Sequence, residues 1–266
     1  MGRLETIGFG VFGKVWITNQ QDKKEYSNES NLDSLDTTNE IFVDTVAYTD
    51  TTEDGTFKNE TDVSSLSSNA DNENFILDGQ TSEQVTIGSQ IWMVQNLNLD
   101  TFRNGDLIPH AKTNEEWWKA EKNQQPAWSY YNNDPANGAK YGKLYNWYAV
   151  IDPRGLAPAG WHIPSDAEWT KLEDFLGTDA GKKMKSISGW NKDGNGTNSS
   201  GFSGLPGGFR DFNGTLYYIG NFGYWWSSTE GGTTRAWLRK LDYGYGDEIR
   251  YTNGKGNGLS VRCLRD

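Results

Sequence analysis

The stretch that decides the fold is residues 223–237, GYWWSSTEGGTTRAW, in which three tryptophans stand among glycines, serines and threonines. From residue 194 onward, glycine turns separate short aromatic runs of this kind, a pattern typical of strands joined by long loops. Because successive side chains of a strand point to opposite faces, the position of each ring along its strand decides whether it lies in the core or on a surface.

Strand alternation predicts which side chains are buried over residues 236–243. The more apolar face is expected to contact the core and consists of Trp237, Arg239, Leu241 and Tyr243. The other face is expected to be exposed and consists of Leu238, Lys240 and Asp242. A buried Arg239 needs a carboxylate or carbonyl partner. Trp225 and Trp226 are adjacent, so we expect one in the core and the other beneath the surface loops.

The composition indicates a loop-rich fold rather than a helical bundle. The 266 residues suffice for one large domain or two small ones, and they include 31 glycines and 36 aromatic rings (12 Trp, 13 Tyr, 11 Phe). No apolar run approaches the roughly 20 residues that a membrane helix needs, and the first ten residues lack the pattern of a signal peptide. With one cysteine and two histidines, no disulfide, metal or cofactor is expected.

The net charge of −11 lies entirely within residues 22–73, which hold 14 acidic residues and three lysines. Few large apolar side chains occur there, so burial cannot offset the entropy of ordering this segment. We therefore expect residues 20–73 to form an extended acidic stalk, with one short strand at 40–48. Such a segment would repel nucleic acid, so no nucleic-acid partner is expected.

Residues 1–19 are apolar and aromatic and are expected to form an anchor or assembly strand. Glycines at positions 8, 10 and 13 have the spacing of a phosphate-binding loop, but a polar stalk follows where a dinucleotide fold needs a helix. An isolated apolar strand on a tether more readily pairs with another chain. An assembly partner for residues 7–18 is therefore expected.

The ordered domain is expected over residues 74–266. Turns at 78–79 and 88–89 predict two hairpins within residues 75–92. Capping boxes begin at Thr113 and Ser165 and predict two helices, and Gly177 is positioned to end the second. The apolar stripe expected on that second helix consists of Trp169, Leu172, Phe175 and Leu176. A third, mostly buried helix is expected over 143–151.

Six runs in this domain are similar, in order, to the Fibrobacter succinogenes major paralogous domain (FISUMP): residues 86–97, 141–150, 155–169, 201–210, 224–229 and 258–264. The resemblance implies an α+β, C-type-lectin-like fold of the formylglycine-generating-enzyme type, with short helices and a mixed, loop-rich sheet. Enzymes of that group bind copper through a cysteine pair, whereas Cys263 stands alone, so that chemistry is not implied here. The same fold type serves as the variable protein of diversity-generating retroelements, whose C-terminal face is hypervariable.

No catalytic constellation is recognisable, and the protein is not expected to be an enzyme. His162 precedes a helix at a position that matches a structural residue of the family, and His110 follows a proline in a loop. Asp166 and Glu168 are better explained as charges that stabilise a helix N-terminus than as an acid–base pair.

A mixture of Tyr, Gly, Asp, Thr and Arg on supported loops is typical of a binding surface. The candidate ligand-binding residues are Thr234, Arg235, Leu238, Lys240, Asp242, Tyr245, Asp247, Tyr251 and Thr252. The favoured hypothesis is an extracellular or surface-displayed recognition or adhesion protein whose partner is a cell-surface protein or glycan. The alternatives are a structural subunit of an envelope filament and a carbohydrate-binding module.

Overall fold

The computed structural model describes residues 18–19, 22–23, 72–77 and 80–266, with side chains from residue 82 onward. In chain order the described strands are β1 (Thr18–Asn19), β2 (Asp22–Lys23), β3 (Asn72–Leu77), β4 (Gln80–Ile87), β5 (Gln90–Met93), β6 (Trp128–Ser129), β7 (Leu144–Tyr145), β8 (Trp161–His162), β9 (Phe209–Arg210), β10 (Leu216–Tyr217), β11 (Phe222–Gly232), β12 (Arg235–Asp242), β13 (Ile249–Gly254) and β14 (Leu264–Arg265). The helices are α1 (Asn114–Lys122), α2 (Pro135–Tyr141), α3 (Trp147–Val150), α4 (Asp166–Leu176) and α5 (Ala180–Met184). No helix in this part of the chain is long and apolar enough to cross a membrane.

The chain divides into two compact units, residues 1–64 and 65–266. In the first unit, the two-residue strands β1 and β2 pair antiparallel. The rest of the predicted assembly strand at 7–18, and the predicted strand at 40–48, lie outside the described residues. Nearly all of the predicted acidic stalk also lies outside the described residues. The assembly strand, the strand at 40–48 and the extended stalk therefore stay predictions.

The second unit is α+β, with short helices and several small antiparallel sheets. Its largest sheet has the order β3-β4-β5-β14-β8. Both hairpins predicted within 75–92 are present, because Leu77 pairs with Gln80 and Ile87 pairs with Gln90. In the second hairpin Gly88 adopts a φ of 62°, a left-handed conformation that favours glycine.

In the sheet β11-β12-β13, the middle residues of β11 and β12 are covered on both faces, whereas β13 is only partly buried. Trp226 and Leu238 are cross-strand partners within one hydrophobic cluster, whereas Trp225 and Leu241 lie in a second cluster. The two clusters therefore occupy opposite faces of the same strands, as alternation requires.

Burial on both faces corrects several sequence expectations. Trp225 and Trp226 are both fully buried, each in its own cluster, rather than one being beneath surface loops. Leu238 is fully buried and Asp242 is 5% exposed, so the face predicted to be exposed lies mainly against a core. Two rings predicted to be buried, Trp237 and Tyr243, are partly exposed, because each lies near an end of the covered region.

The two helices predicted from capping boxes are confirmed. The Thr113 side chain accepts from the Glu116 amide at α1, and the Ser165 side chain accepts from the Glu168 amide at α4. Of the stripe predicted on α4, Trp169, Leu172 and Leu176 are buried. Phe175 is 63% exposed, so its place in that stripe is wrong.

The long helix predicted over 143–151 is wrong, because this run divides into strand β7 and the four-residue helix α3. The Tyr145 backbone donates to and accepts from Leu259, which draws it into extended structure. Asn146 then caps α3 through its side chain, which accepts from the Ala149 amide. Tertiary pairing thus overrides the helical tendency of the run.

Candidate functional site

The nine candidate residues do not form one surface. Thr234, Arg235 and Thr252 lie near the β11–β12 turn, and the residues at 240–247 lie toward the other end of β12. Leu238 is in the core, where Tyr251 packs beside it, partly buried. The prediction that Leu238 contacts a ligand is therefore wrong, because a fully buried side chain cannot reach a ligand.

The three residues near the turn belong to a surface that also includes Trp237 and Arg250. The Arg235 Nε donates to the Thr252 Oγ1 at 3.0 Å, and Trp237 pairs with Thr252 across β12 and β13. The Arg250 guanidinium lies 3.6 Å from the centre of the Trp237 ring, a close cation–π contact. We call Arg235, Trp237, Arg250 and Thr252 the arginine–tryptophan patch.

The patch is held in place by an ion pair with the start of α4. The Arg250 Nη2 and Nε lie 2.7 and 2.9 Å from the two carboxylate oxygens of Asp166, a bidentate arrangement. Burial raises the pKa of Asp166, but hydrogen bonds from Arg250 and Arg239 outweigh it and hold that pKa below its usual range. The carboxylate therefore stays charged and fixes the guanidinium over the tryptophan.

Beneath the patch lies a buried charge cluster centred on Arg239. This guanidinium is fully buried and donates to Asp166 at 2.7 Å and to Glu173, and it lies 3.3 Å from the Glu248 carboxylate. The expectation that Arg239 needs a carboxylate partner is confirmed. Burial, and then the negative charge of Glu173, raise the pKa of Glu248 to about 9. A proton on Glu248 leaves two carboxylates to balance Arg239 and Arg250.

The proton on Glu248 predicts a specific pH dependence of stability. Its pKa is about 9 in the folded chain, against an ordinary value of 4.5, so the folded state binds more protons between these pH values. Stability is then lost as pH rises through this window. Glu248→Gln keeps a neutral side chain at every pH. We therefore expect the free energy of unfolding of the variant, relative to that of the wild type, to rise by at least about 1 kcal/mol from pH 5 to pH 8.

Urea unfolding of both proteins at pH 5 and pH 8 measures this difference. The contribution of His162, whose pKa is also raised, is common to both proteins and cancels. Asp174→Asn, on the exposed side of α4, is the matched control and should leave the pH dependence unchanged. Parallel pH profiles for wild type and Glu248→Gln would contradict the assignment.

The candidate residues at 240–247 make mainly structural contacts. Lys240 pairs with Asp242 at 2.9 Å, and Asp242 also accepts from the Gly244 amide at 2.9 Å. The Asp247 carboxylate accepts from the Asp179 amide at 3.1 Å. In this group Tyr245, at 65%, and Asp247 are the exposed candidate residues.

Both histidines have well-defined surroundings. His162 Nδ1 lies 2.8 Å from Asp266 and its Nε2 lies 3.0 Å from Glu168. Burial lowers the pKa of His162, but these two hydrogen-bonded carboxylates outweigh it and raise the pKa. His110 stacks on Trp128 with ring centres 3.8 Å apart, and burial lowers the pKa of His110. Across the described residues, no group of three or more His, Cys, Asp or Glu could hold a metal ion.

Sequence reasoning missed Arg250 and placed Trp237 in the core. The signal that joins them is the register of β12 against β13, which sets Trp237 opposite Thr252 and Arg239 opposite Arg250. The loop between these strands has neither the length nor the residues of a standard hairpin turn, so the register could not be predicted from the sequence.

Comparison with known proteins identifies the family. No curated protein and no solved structure gives a significant match. Residues 85–265, well over half of the chain, match the family described as the Fibrobacter succinogenes major domain. That range contains both clusters, the buried charge cluster and the arginine–tryptophan patch. The chain therefore belongs to the Fibrobacter succinogenes major domain family.

Proposed function

We propose that the family domain is a non-enzymatic recognition domain of C-type-lectin-like fold, displayed outside the cell. Its ligand is a protein or glycan on another cell's surface, bound through the arginine–tryptophan patch. The observation that carries the proposal is the Trp237 ring, which is partly exposed and held beneath Arg250 by the ion pair with Asp166. Tryptophan and arginine are the residues most enriched at binding hot spots.

Two features of the surroundings support this proposal. The patch lies on the paired strands β12 and β13, and its arginines are held by hydrogen bonds to Thr252 and Asp166, so little ordering entropy is lost when a ligand binds. The adjoining residues 230–235 are exposed and lie in the region that resembles the variable face of retroelement-diversified proteins. Substitutions there would change the binding surface without entering a core, as such diversification requires.

Removing the patch side chains is expected to reduce cell binding. The double variant Arg235→Ala/Trp237→Ala of the fluorescently labelled full chain should bind fixed bacterial cells at least about tenfold more weakly than wild type in flow cytometry. Its melting temperature should change little, because Arg235 is exposed and Trp237 is partly so.

The matched control is Trp118→Ala, which removes another exposed tryptophan, 46% exposed on α1. It should bind the same cells as well as wild type does. The proposal fails if the full chain shows no saturable binding to any cell tested, or if the double variant binds as wild type does.

A further inference from the structure

A continuous row of aromatic rings lies near the C-terminal end of β12, whereas the arginine–tryptophan patch lies near its N-terminal end. Its members, which we call the aromatic strip, are Phe209, Tyr217, Tyr218, Phe222 and Tyr243. Neighbouring ring centres are 4.9–6.2 Å apart along the strip. Tyr217 and Tyr218 are 38% and 48% exposed, and the other three rings are partly exposed. The two tyrosines are therefore the solvent-exposed part of the strip, and Phe209, Phe222 and Tyr243 support them by packing against the hydrophobic clusters.

The backbone is bent so that two consecutive tyrosines reach this surface together. Tyr218 adopts a φ of 65°, in the left-handed region that non-glycine residues rarely occupy. In an extended strand the rings of Tyr217 and Tyr218 would point to opposite faces, but here their centres are 5.7 Å apart. Such strain persists only where surrounding structure enforces it, and it is concentrated at functional sites.

The bend is enforced by backbone hydrogen bonds of the residues that follow it. The Phe222 amide donates to the Tyr218 carbonyl at 3.0 Å, and the Gly220 amide donates to the Pro206 carbonyl at 2.8 Å. Gly208 approaches so closely that a Cβ there would lie 2.4 Å from the Tyr217 carbonyl oxygen. The two rings are thus presented by a rigid loop before any ligand binds.

Polar groups suited to hydroxyl-rich ligands border the rings. The Asn191 side-chain amide donates to the Asn221 side-chain oxygen at 2.9 Å beside the loop. The Lys192 ammonium lies 5.2 Å from the centre of the Tyr243 ring and 3.4 Å from its hydroxyl. Lys240 lies 3.8 Å from the centre of the Phe222 ring, and its charge is balanced by Asp242.

We infer that the aromatic strip binds a neutral, β-linked oligosaccharide whose sugar rings stack on the aromatic rings. In β-linked glucose the substituents are equatorial, so both faces of each sugar present C–H groups to a flat aromatic surface. The Asn191 and Asn221 amides and the Lys192 ammonium can then hydrogen-bond to the sugar hydroxyls. Because the rings carry no charge and Lys240 is paired with Asp242, stacking is the main contact and a neutral chain provides it. Lys192 is the bordering cation that an acidic chain would use instead.

This second site does not rest on the proposed function of the patch. Asp242, at the strip end of β12, lies five residue steps after Trp237, roughly 17 Å along an extended strand. Variants of one surface therefore leave the other intact, and the two proposals can fail separately.

Titration calorimetry of the full chain tests the inference with four hexasaccharides. These are β-1,4-linked glucose, β-1,4-linked mannose, α-1,4-linked glucose and hyaluronan as an acidic chain. We expect at least one neutral β-linked hexamer to bind, and hyaluronan to bind more weakly. The double variant Tyr217→Ser/Tyr218→Asn should weaken that binding at least about tenfold. Asparagine tolerates the left-handed backbone at position 218, so the melting temperature should change little.

Two control variants show whether the strip itself is the surface that binds the hexamer. Phe212→Ser removes another exposed ring, 49% exposed and outside the strip, and should bind the hexamer as wild type does. Arg235→Ala/Trp237→Ala should do the same. The inference is overturned if neither neutral β-linked hexamer binds, if hyaluronan binds best, if the strip variant binds unchanged, or if Phe212→Ser weakens binding equally.

Discussion

Arg239→Met is expected to lower the free energy of unfolding by about 3–5 kcal/mol, because it removes the central cation of a buried charge cluster. Asp166 would keep Arg250 as a partner, but Glu173 would lose its cation, while Glu248 is already protonated at pH 7 and adds no charge of its own. Methionine fills much of the space of the arginine stem, so most of the loss would come from uncompensated charge rather than from a cavity. Urea unfolding at pH 7 measures the change.

A matched series isolates the charge effect. Arg250→Met removes the half-exposed arginine from the same Asp166 and should cost no more than about 1 kcal/mol. Adding Glu173→Gln and Glu248→Gln to Arg239→Met should recover part of the loss, because replacing a whole buried network is less costly than breaking it. A change below about 1 kcal/mol for Arg239→Met alone would mean that the cluster is not a stabilising centre.

Trp169→Ala is expected to cost about 3–5 kcal/mol. The Trp169 side chain on α4 is fully buried, with its ring centre 4.7 Å from that of Trp92 and 5.8 Å from that of Phe202. Phe202 in turn contacts Trp225, so the cavity would open in the middle of the cluster that joins α4 to the central sheet. Relaxation cannot fill it, because the surrounding rings are themselves packed against one another.

The midpoint of urea unfolding gives the loss for Trp169→Ala. Trp118→Ala makes the same change on α1, where the ring is 46% exposed, and should shift the midpoint much less. Equal shifts of the midpoint for the two variants would contradict the assignment of Trp169 to the core.

Features that depend on nearby residues could be predicted from the sequence. A capping box needs only four consecutive residues, so α1 and α4 were predicted from Thr113 and Ser165. The hairpin at Gly88 needed only a two-residue turn. Helices α2 and α5 carry no such box and span seven and five residues, and neither was predicted.

Features that depend on distant partners could not be predicted. The requirement of Arg239 for a carboxylate follows from its burial, but Asp166 is 73 residues earlier in the chain. The alternation of β12 was predicted correctly, yet it does not show whether a second core covers the other face. For that reason the sequence analysis placed Leu238 on the binding surface, although it lies in the core. It placed Trp237 in the core, although that ring lies at the surface.

The adjacent tryptophans also determine how the domain melts. Trp225 and Trp226 anchor the two hydrophobic clusters through consecutive residues of one strand. Neither cluster can open without displacing the backbone that holds the other, so partial unfolding confined to one of them is disfavoured. The two clusters should therefore act as one cooperative unit, with equal calorimetric and van't Hoff enthalpies for the family domain.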